Sequence, residues 1–265
     1  MPYSLQLSDL EVARYRAMAD NAKRNEGTSW TAAGIVPGAR VADIGCGPGI
    51  ILAELAKQVL PHGTAVGIER DPEARARAEA YLRALSITNA TVIAGAANAT
   101  GLERESVDVV MMRHVLAHNG GNEEKIIAHL STLLRPGGHL YLVDTDVTAV
   151  RIRPVDPDIE DLSNRYINYM KSLGNDVSIG LRLGELVNGA GLVMTEREAH
   201  YQIIDMAKAK GIRPPSWAAH QSMVKAGAAT MEDVARWDAA LQHYAEQQVE
   251  KVAFVPVFRV VAKRS

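Results

Sequence analysis

Between Arg40 and Asp146 five short apolar runs alternate with helical stretches, and no other feature limits the fold so tightly. The runs are residues 41–45 (VADIG), 65–69 (AVGIE), 91–95 (TVIAG), 107–112 (VDVVMM) and 139–144 (HLYLVD), with helices expected at 50–59, 72–85 and 123–134. Strands separated by crossover helices pair in parallel, and helices then cover both faces of the sheet. Asp71 before Pro72 adds a helix start, an N-cap with proline at the first helical position.

The flanks follow a different rhythm. Ser8 and Glu11 have capping-box spacing, and Leu7 with Val12 forms a staple, so a helix is expected over 9–23, with a second short one ending at Gly34. Residues 147–183 contain Arg151, Arg153, Tyr166, Tyr169 and several prolines without a strand-like run, as a substrate-facing insertion would. A helix over 183–190 stopped by Gly191, a strand within 193–204 and a last strand at 254–263 (FVPVFRVVAK) complete the layout. Thr230 and Asp233 repeat the capping-box spacing, and Val234, Trp237, Leu241 and Tyr244 recur at helical intervals as a core stripe. No linker separates independent units, so one domain is expected: a helical segment over 1–34, an α/β core over 35–146, and insertions at 147–182 and 206–250.

Charge and cysteine usage remove several function classes. Lys plus Arg is 29 against 31 for Asp plus Glu, a net of -2, so no positive field exists to hold a nucleic acid backbone. The single cysteine cannot form an internal disulfide. The start MPYSLQLSDLEVARYR has charges where a signal peptide needs an apolar run. No run reaches the ~20 apolar residues of a membrane span. These features read as a cytoplasmic protein without a membrane or nucleic acid partner, and pairing into a homodimer is compatible with them.

Val41 to Gly49 (VADIGCGPG) is a strand running into glycines that open a helix, where doubly wound sheets bind nucleotides. The dinucleotide fingerprint needs a glycine where Ile50 stands, and Gly49 comes one residue too early, which disfavours a dehydrogenase. Asp43, two residues before Gly45, would repel a pyrophosphate and suits a cationic ligand. Cys46 sits at a helix start that would favour a thiolate, although no histidine is near it in sequence.

The pattern DxGxGxG resembles the first motif of class I S-adenosylmethionine-dependent methyltransferases. Later segments follow in order: Gly67-Ile68-Glu69 ending the second strand, GAANATGLERESVDVV from Gly95 to Val110, Arg113 to His118 (RHVLAH), and Leu134 to Gly138 (LRPGG). These are similar to the ubiquinone and menaquinone biosynthesis type, from about Gly34 to Asp144. The resemblance implies a Rossmann-like α/β fold, doubly wound around a seven-stranded mostly parallel sheet whose last strand is antiparallel. It also implies S-adenosyl-L-methionine as cofactor and S-adenosyl-L-homocysteine as product. The acceptor would be a small molecule, a secondary metabolite or quinone-like compound, methylated on O, N or C by in-line displacement. The alternative is a protein of the same fold that binds the cofactor without methyl transfer or directs a non-methylating reaction.

By the same resemblance the cofactor-binding residues are Asp43, Gly45, Cys46, Gly47, Gly49, Glu69, Arg70, Ala97, Asn98 and Arg113, with Glu69 accepting from both ribose hydroxyls. Ala96 replaces the family's usual aspartate for the adenine amino group, leaving adenine to groups near Ala97 and Asn98. His114 and His118 follow the fourth strand beside the methyl group and are the candidate bases for an acceptor that must lose a proton. Tyr15, Trp30, Tyr166 and Tyr169 are candidate substrate contacts of the flanking segments. Arg151 and Arg153 could recognise a carboxylate or phosphate, and His200 with Tyr201 are weaker candidates for the catalytic base. Asp144 and Asp146 form a DxD, but metal-dependent catechol-type enzymes also need an aspartate where Arg113 and His114 stand, so no metal is expected.

Overall fold

A computed structural model describes residues 9–206 and 213–265 of the chain. In order, the elements are α1 (Asp9–Ala32), β1 (Arg40–Ile44), α2 (Ile50–Gln58), β2 (Thr64–Glu69), α3 (Pro72–Ala84), β3 (Ala90–Ala94), β4 (Val107–Arg113), α4 (Glu123–Leu133) and β5 (Leu134–Thr145). They continue as β6 (Arg151–Arg153), α5 (Pro157–Ser172), α6 (Leu183–Gly189), β7 (Val193–Asp205), α7 (Pro215–Ala218), α8 (His220–Lys225), α9 (Met231–Glu246) and β8 (Val252–Lys263).

The parallel core is ordered β3-β2-β1-β4-β5, and β8 then pairs antiparallel with β5. β7 pairs antiparallel along the other edge of β8, which completes a seven-strand order. β6 is an additional three-residue strand in the segment where the sequence suggests none, and it follows β5 along the same edge of β8. Thr145, the last residue of β5, lies opposite Val257. The five β8 residues before Val257 therefore run on past the carboxyl edge of the parallel strands for about 17 Å at ~3.4 Å per residue. With β6 and the end of β7 they make a wall above the site.

The sheet is buried on both faces. Ala42, Ile44, Val110 and Met112 face α4 and α6, while Val41, Val109, Met111 and Tyr141 face α1 and α2. Such strands read as continuous apolar runs rather than alternating ones, which is why they are visible in the sequence. Asp71 caps α3 by accepting from Ala74 N at 2.8 Å, and Thr230 with Asp233 forms the expected capping box of α9. Trp237 and Tyr244 of α9 are buried, and Val234 and Leu241 pack beside them. The two insertions meet: Leu162, Tyr169 and Met170 of α5 pack on Ala219, Met223 and Trp237.

α1 is one continuous helix where two are expected. Gly27 costs only about 1 kcal/mol in a helix interior, and burial of Ala22, Trp30 and Ala33 against the sheet outweighs it. The capping box and staple at Leu7 and Ser8 lie outside the described residues.

Candidate functional site

A cavity of about 870 Å³ opens at the carboxyl ends of β1, β2, β4 and β5, within the usual size of ligand pockets. Its floor is the loop after β1. Gly45 and Cys46 donate their amides to Ile68 O at 2.7 and 3.2 Å, curling the loop toward β2. Gly45 has φ +71°, and a Cβ there would stand 2.5 Å from Val115, so only glycine fits.

Glu69 ends β2 and holds the loop in place. Its Oε2 accepts from Gly47 N at 3.0 Å and its Oε1 from Asp71 N at 2.9 Å. Each carboxylate oxygen has a further lone pair, so the group that fixes the loop can also accept from a ligand diol. Arg70 follows at the cavity rim.

Asp43 is 3% exposed and its Oδ2 accepts no hydrogen bond. Burial pushes its carboxyl up to about 7, against the opposing effect of the Arg113 guanidinium, while nearby Glu69 pushes it further up. An unbonded buried carboxylate is costly unless a cation completes it, so this cradle fits a positively charged ligand group. Because the folded value lies above the ordinary 3.8, the penalty is fully present above pH 7 and fades toward pH 4. Asp43→Asn is therefore expected to raise the thermal midpoint at pH 8, with the gain shrinking as pH falls from 7 to 4. A midpoint at pH 8 below that of the unaltered chain would contradict this.

Arg113, at the end of β4, also lines the cavity, and its guanidinium is ion-paired with Glu26 of α1. Glu26 Oε2 further accepts from Tyr141 Oη at 2.9 Å and Trp30 Nε1 at 3.4 Å. This buried network ties α1 to β4 and β5.

His114 and His118 both line the cavity. His114 has φ +55°, a left-handed conformation that a non-glycine residue adopts at a cost, and its amide bonds Val143 O at 2.8 Å. His118 closes a single 3₁₀ turn over Leu116–His118. Both thus reach the cavity through a strained residue and a tight turn rather than through one helical face. Burial, helped by neighbouring arginines, lowers His114 to about 3 and His118 to about 4. Both rings are neutral at pH 7 and accept protons weakly. Asp144, buried at the end of β5, accepts from Ala117 N at 3.4 Å and Thr145 N at 3.0 Å, anchoring the turn. Burial raises its carboxyl to about 7, and backbone hydrogen bonds oppose the rise. Asp146 is spent capping Thr148.

Tyr15 and Tyr166 line the cavity, but four sequence expectations need correction. Trp30 is 1% exposed in the core under the sheet, because its face of α1 packs inward. Tyr169 fills the contact between α5 and the later helices, away from the cavity. Gly49 lies off the cavity as well; a Cβ there would meet Ala78 Cβ at 2.9 Å, so its need is close packing of α2 on α3. Asn98 is exposed at the tip of a tight turn closed by Ala96 and Ala99, which exchange both main-chain hydrogen bonds at 3.2 and 2.9 Å. Ala97 remains at the cavity.

The Cys46 thiol is pushed well up by burial and by Asp43, and is inert as a nucleophile. Tyr201 is exposed on β7, and His200 pairs with Glu198 at 3.4 Å. Residues overlooked in the sequence are Glu26 with Tyr141 and the apolar cavity walls of Ile159, Ile167, Val255 and Val257. Of these only Ile159 and Ile167 carried a signal, the helical periodicity of α5.

A family model described as a methyltransferase domain matches residues 35–207, well over half of the chain. An uncharacterized 37.1 kDa protein in a transposon of Streptomyces fradiae is 32% identical over 162 residues, covering 60% of this chain and 44% of that one. The chain thus spans less than half the length of the curated relatives it matches. A SAM-dependent methyltransferase from Aquifex aeolicus superposes with TM-score 0.53 at 20% identity, covering 72% of this chain and 92% of the other. One from Methanosarcina mazei gives 0.53 at 17%, covering 85% and 92%. At such identities the structures share the fold.

Proposed function

The chain belongs to the class I S-adenosylmethionine-dependent methyltransferases, and from that membership we propose that it transfers a methyl group to a small-molecule acceptor, on O, N or C. S-adenosyl-L-methionine is the cofactor and supplies, when bound, a methyl group activated by a sulfonium. The observation that carries the reading is the pair of carboxylates at adjacent strand ends: Asp43 with its unbonded Oδ2, and Glu69 with its remaining lone pairs. Asp43 would hold the cationic aminoacyl end, and Glu69 the ribose hydroxyls. Gly45, Cys46, Gly47, Arg70, Ala97 and Arg113 line the same part of the cavity.

The remaining work of the protein is alignment and exclusion of water, which supply most of the acceleration in a displacement of this kind. Tyr15 of α1 and Tyr166 of α5 approach the cavity from two sides and would shut out solvent. The test is release of S-adenosyl-L-homocysteine from labelled cofactor in the presence of a panel of small acceptors. Cofactor binding without any release across the panel would overturn the reading.

His118 would accept the proton of an acceptor that must lose one. Its neutral state persists down to about pH 4, so kcat is expected to hold level through pH 6.5, where an ordinary histidine would lose activity. The same burial weakens the base, so His118→Ala should cost about 10², the low end of general-base contributions. An acid limb centred near 6.5 would assign the proton to another group.

A further inference from the structure

The cavity is longer than its cofactor end. Beyond Asp144 it continues between two facing walls. One is a face of α5, where Ile159, Ser163, Tyr166, Ile167 and Met170 recur at helical spacing. The other is the upstanding sheet, with Ala253, Val255 and Val257 of β8 beside Ile152 of β6 and Ile204 of β7. From Val257, opposite Thr145, to Ala253, opposite Ile152, the wall rises four residues, on the order of 13 Å.

Most charged groups around this chamber already have bonding partners. Ile152 faces the chamber, and Arg151 and Arg153 on either side of it also line the cavity. Their guanidiniums bond the main-chain oxygens of Thr148, Val150 and Ile152. Asp156 is spent capping α5, and Arg213 lies 2.5 Å from Asp238 and over the Trp217 ring. Glu160 stands exposed at the rim. Between the two walls the lining is mainly apolar, so the bulk of an acceptor held there is apolar as well. Ser163 Oγ donates to Ile159 O at 3.0 Å, whereas the carboxamide of Gln202 on β7 lines the cavity and makes no hydrogen bond among the described residues.

We propose that the acceptor is a mainly apolar, elongated molecule, gripped between the α5 face and the β6–β8–β7 wall, with a carbonyl or hydroxyl group that Gln202 bonds. The inference rests on the methyl-transfer reading for the word acceptor, and on the walls alone for the chemistry.

The experiment titrates the full chain, saturated with S-adenosyl-L-homocysteine, with Nile red, a neutral elongated dye that carries a ring carbonyl. One saturable site with strong fluorescence is expected. Ile159→Asp and Val255→Asp should each weaken the dye about tenfold or more, since a buried charge is costly. Calorimetric affinity for S-adenosyl-L-homocysteine should stay unchanged, which also shows that the variants fold; Val255→Gln is the milder substitute. Gln202→Leu should shift the dye emission to the blue by removing a donor from its carbonyl. Arg151→Ala and Arg153→Ala should leave dye affinity within about twofold. Binding that does not saturate, or that ignores both aspartate variants, would overturn the proposal, as would weakening by the arginine variants. Unchanged emission in Gln202→Leu would remove Gln202 from it. If S-adenosyl-L-homocysteine does not bind the unaltered chain while the dye pattern holds, the methyl-transfer reading fails and the apolar chamber stands.

Discussion

Glu69→Ala should lose cofactor affinity by about 10² to 10⁴, since two hydrogen bonds to a charged acceptor contribute roughly 1.5–3 kcal/mol each. The loss has two sources. Truncation removes the carboxylate offered to the ribose, and it also releases the amides of Gly47 and Asp71 that Glu69 now holds. Glu69→Gln separates them, because its amide oxygen keeps one main-chain contact while charge is lost. An intermediate affinity is expected for that variant. Calorimetry with S-adenosyl-L-homocysteine is the measurement, and an unchanged affinity in the alanine variant would remove Glu69 from the cofactor site.

The second large effect lies away from the reacting atoms. Glu26→Ala should destabilise the fold by about 3–5 kcal/mol, the usual cost of leaving a buried charge without its partner. The Arg113 and Glu26 side chains are only 10% and 6% exposed, so water cannot replace the lost carboxylate. Tyr141 and Trp30 lose their common acceptor as well. In a chain of this size each kcal/mol moves the midpoint by about 2–4 °C, so thermal unfolding should begin roughly 10 °C lower. Urea denaturation showing less than about 1 kcal/mol of change would mean that α1 does not depend on this network.

The cavity floor at the ends of β1 and β2 was largely legible because its requirements are local. A strand that must turn abruptly into a helix needs glycine where φ is positive, and Gly45 and Gly47 show it directly. Asp43 and Glu69 stand at strand ends, and the strands are visible as apolar runs. Gly49 was legible as a glycine but not in its reason, which depends on Ala78 of another helix. The aromatic residues could not be sorted: Tyr15 and Trp30 lie on one helix, and only packing decides that the first meets the cavity and the second the core. Tyr166 and Tyr169 divide in the same way on α5.

By itself, then, the sequence determined the alternation of strands and helices, the helix caps at Asp71 and Thr230, the glycine loop, and the two carboxylates beside it. Each depends on a few neighbouring residues and on backbone geometry. Tertiary structure alone decided that Arg113 meets Glu26 across 87 positions, and that burial leaves His114 and His118 neutral. Those outcomes depend on burial and on contacts between distant segments, which raise or lower the energy of a charge without leaving a pattern in the local order of residues.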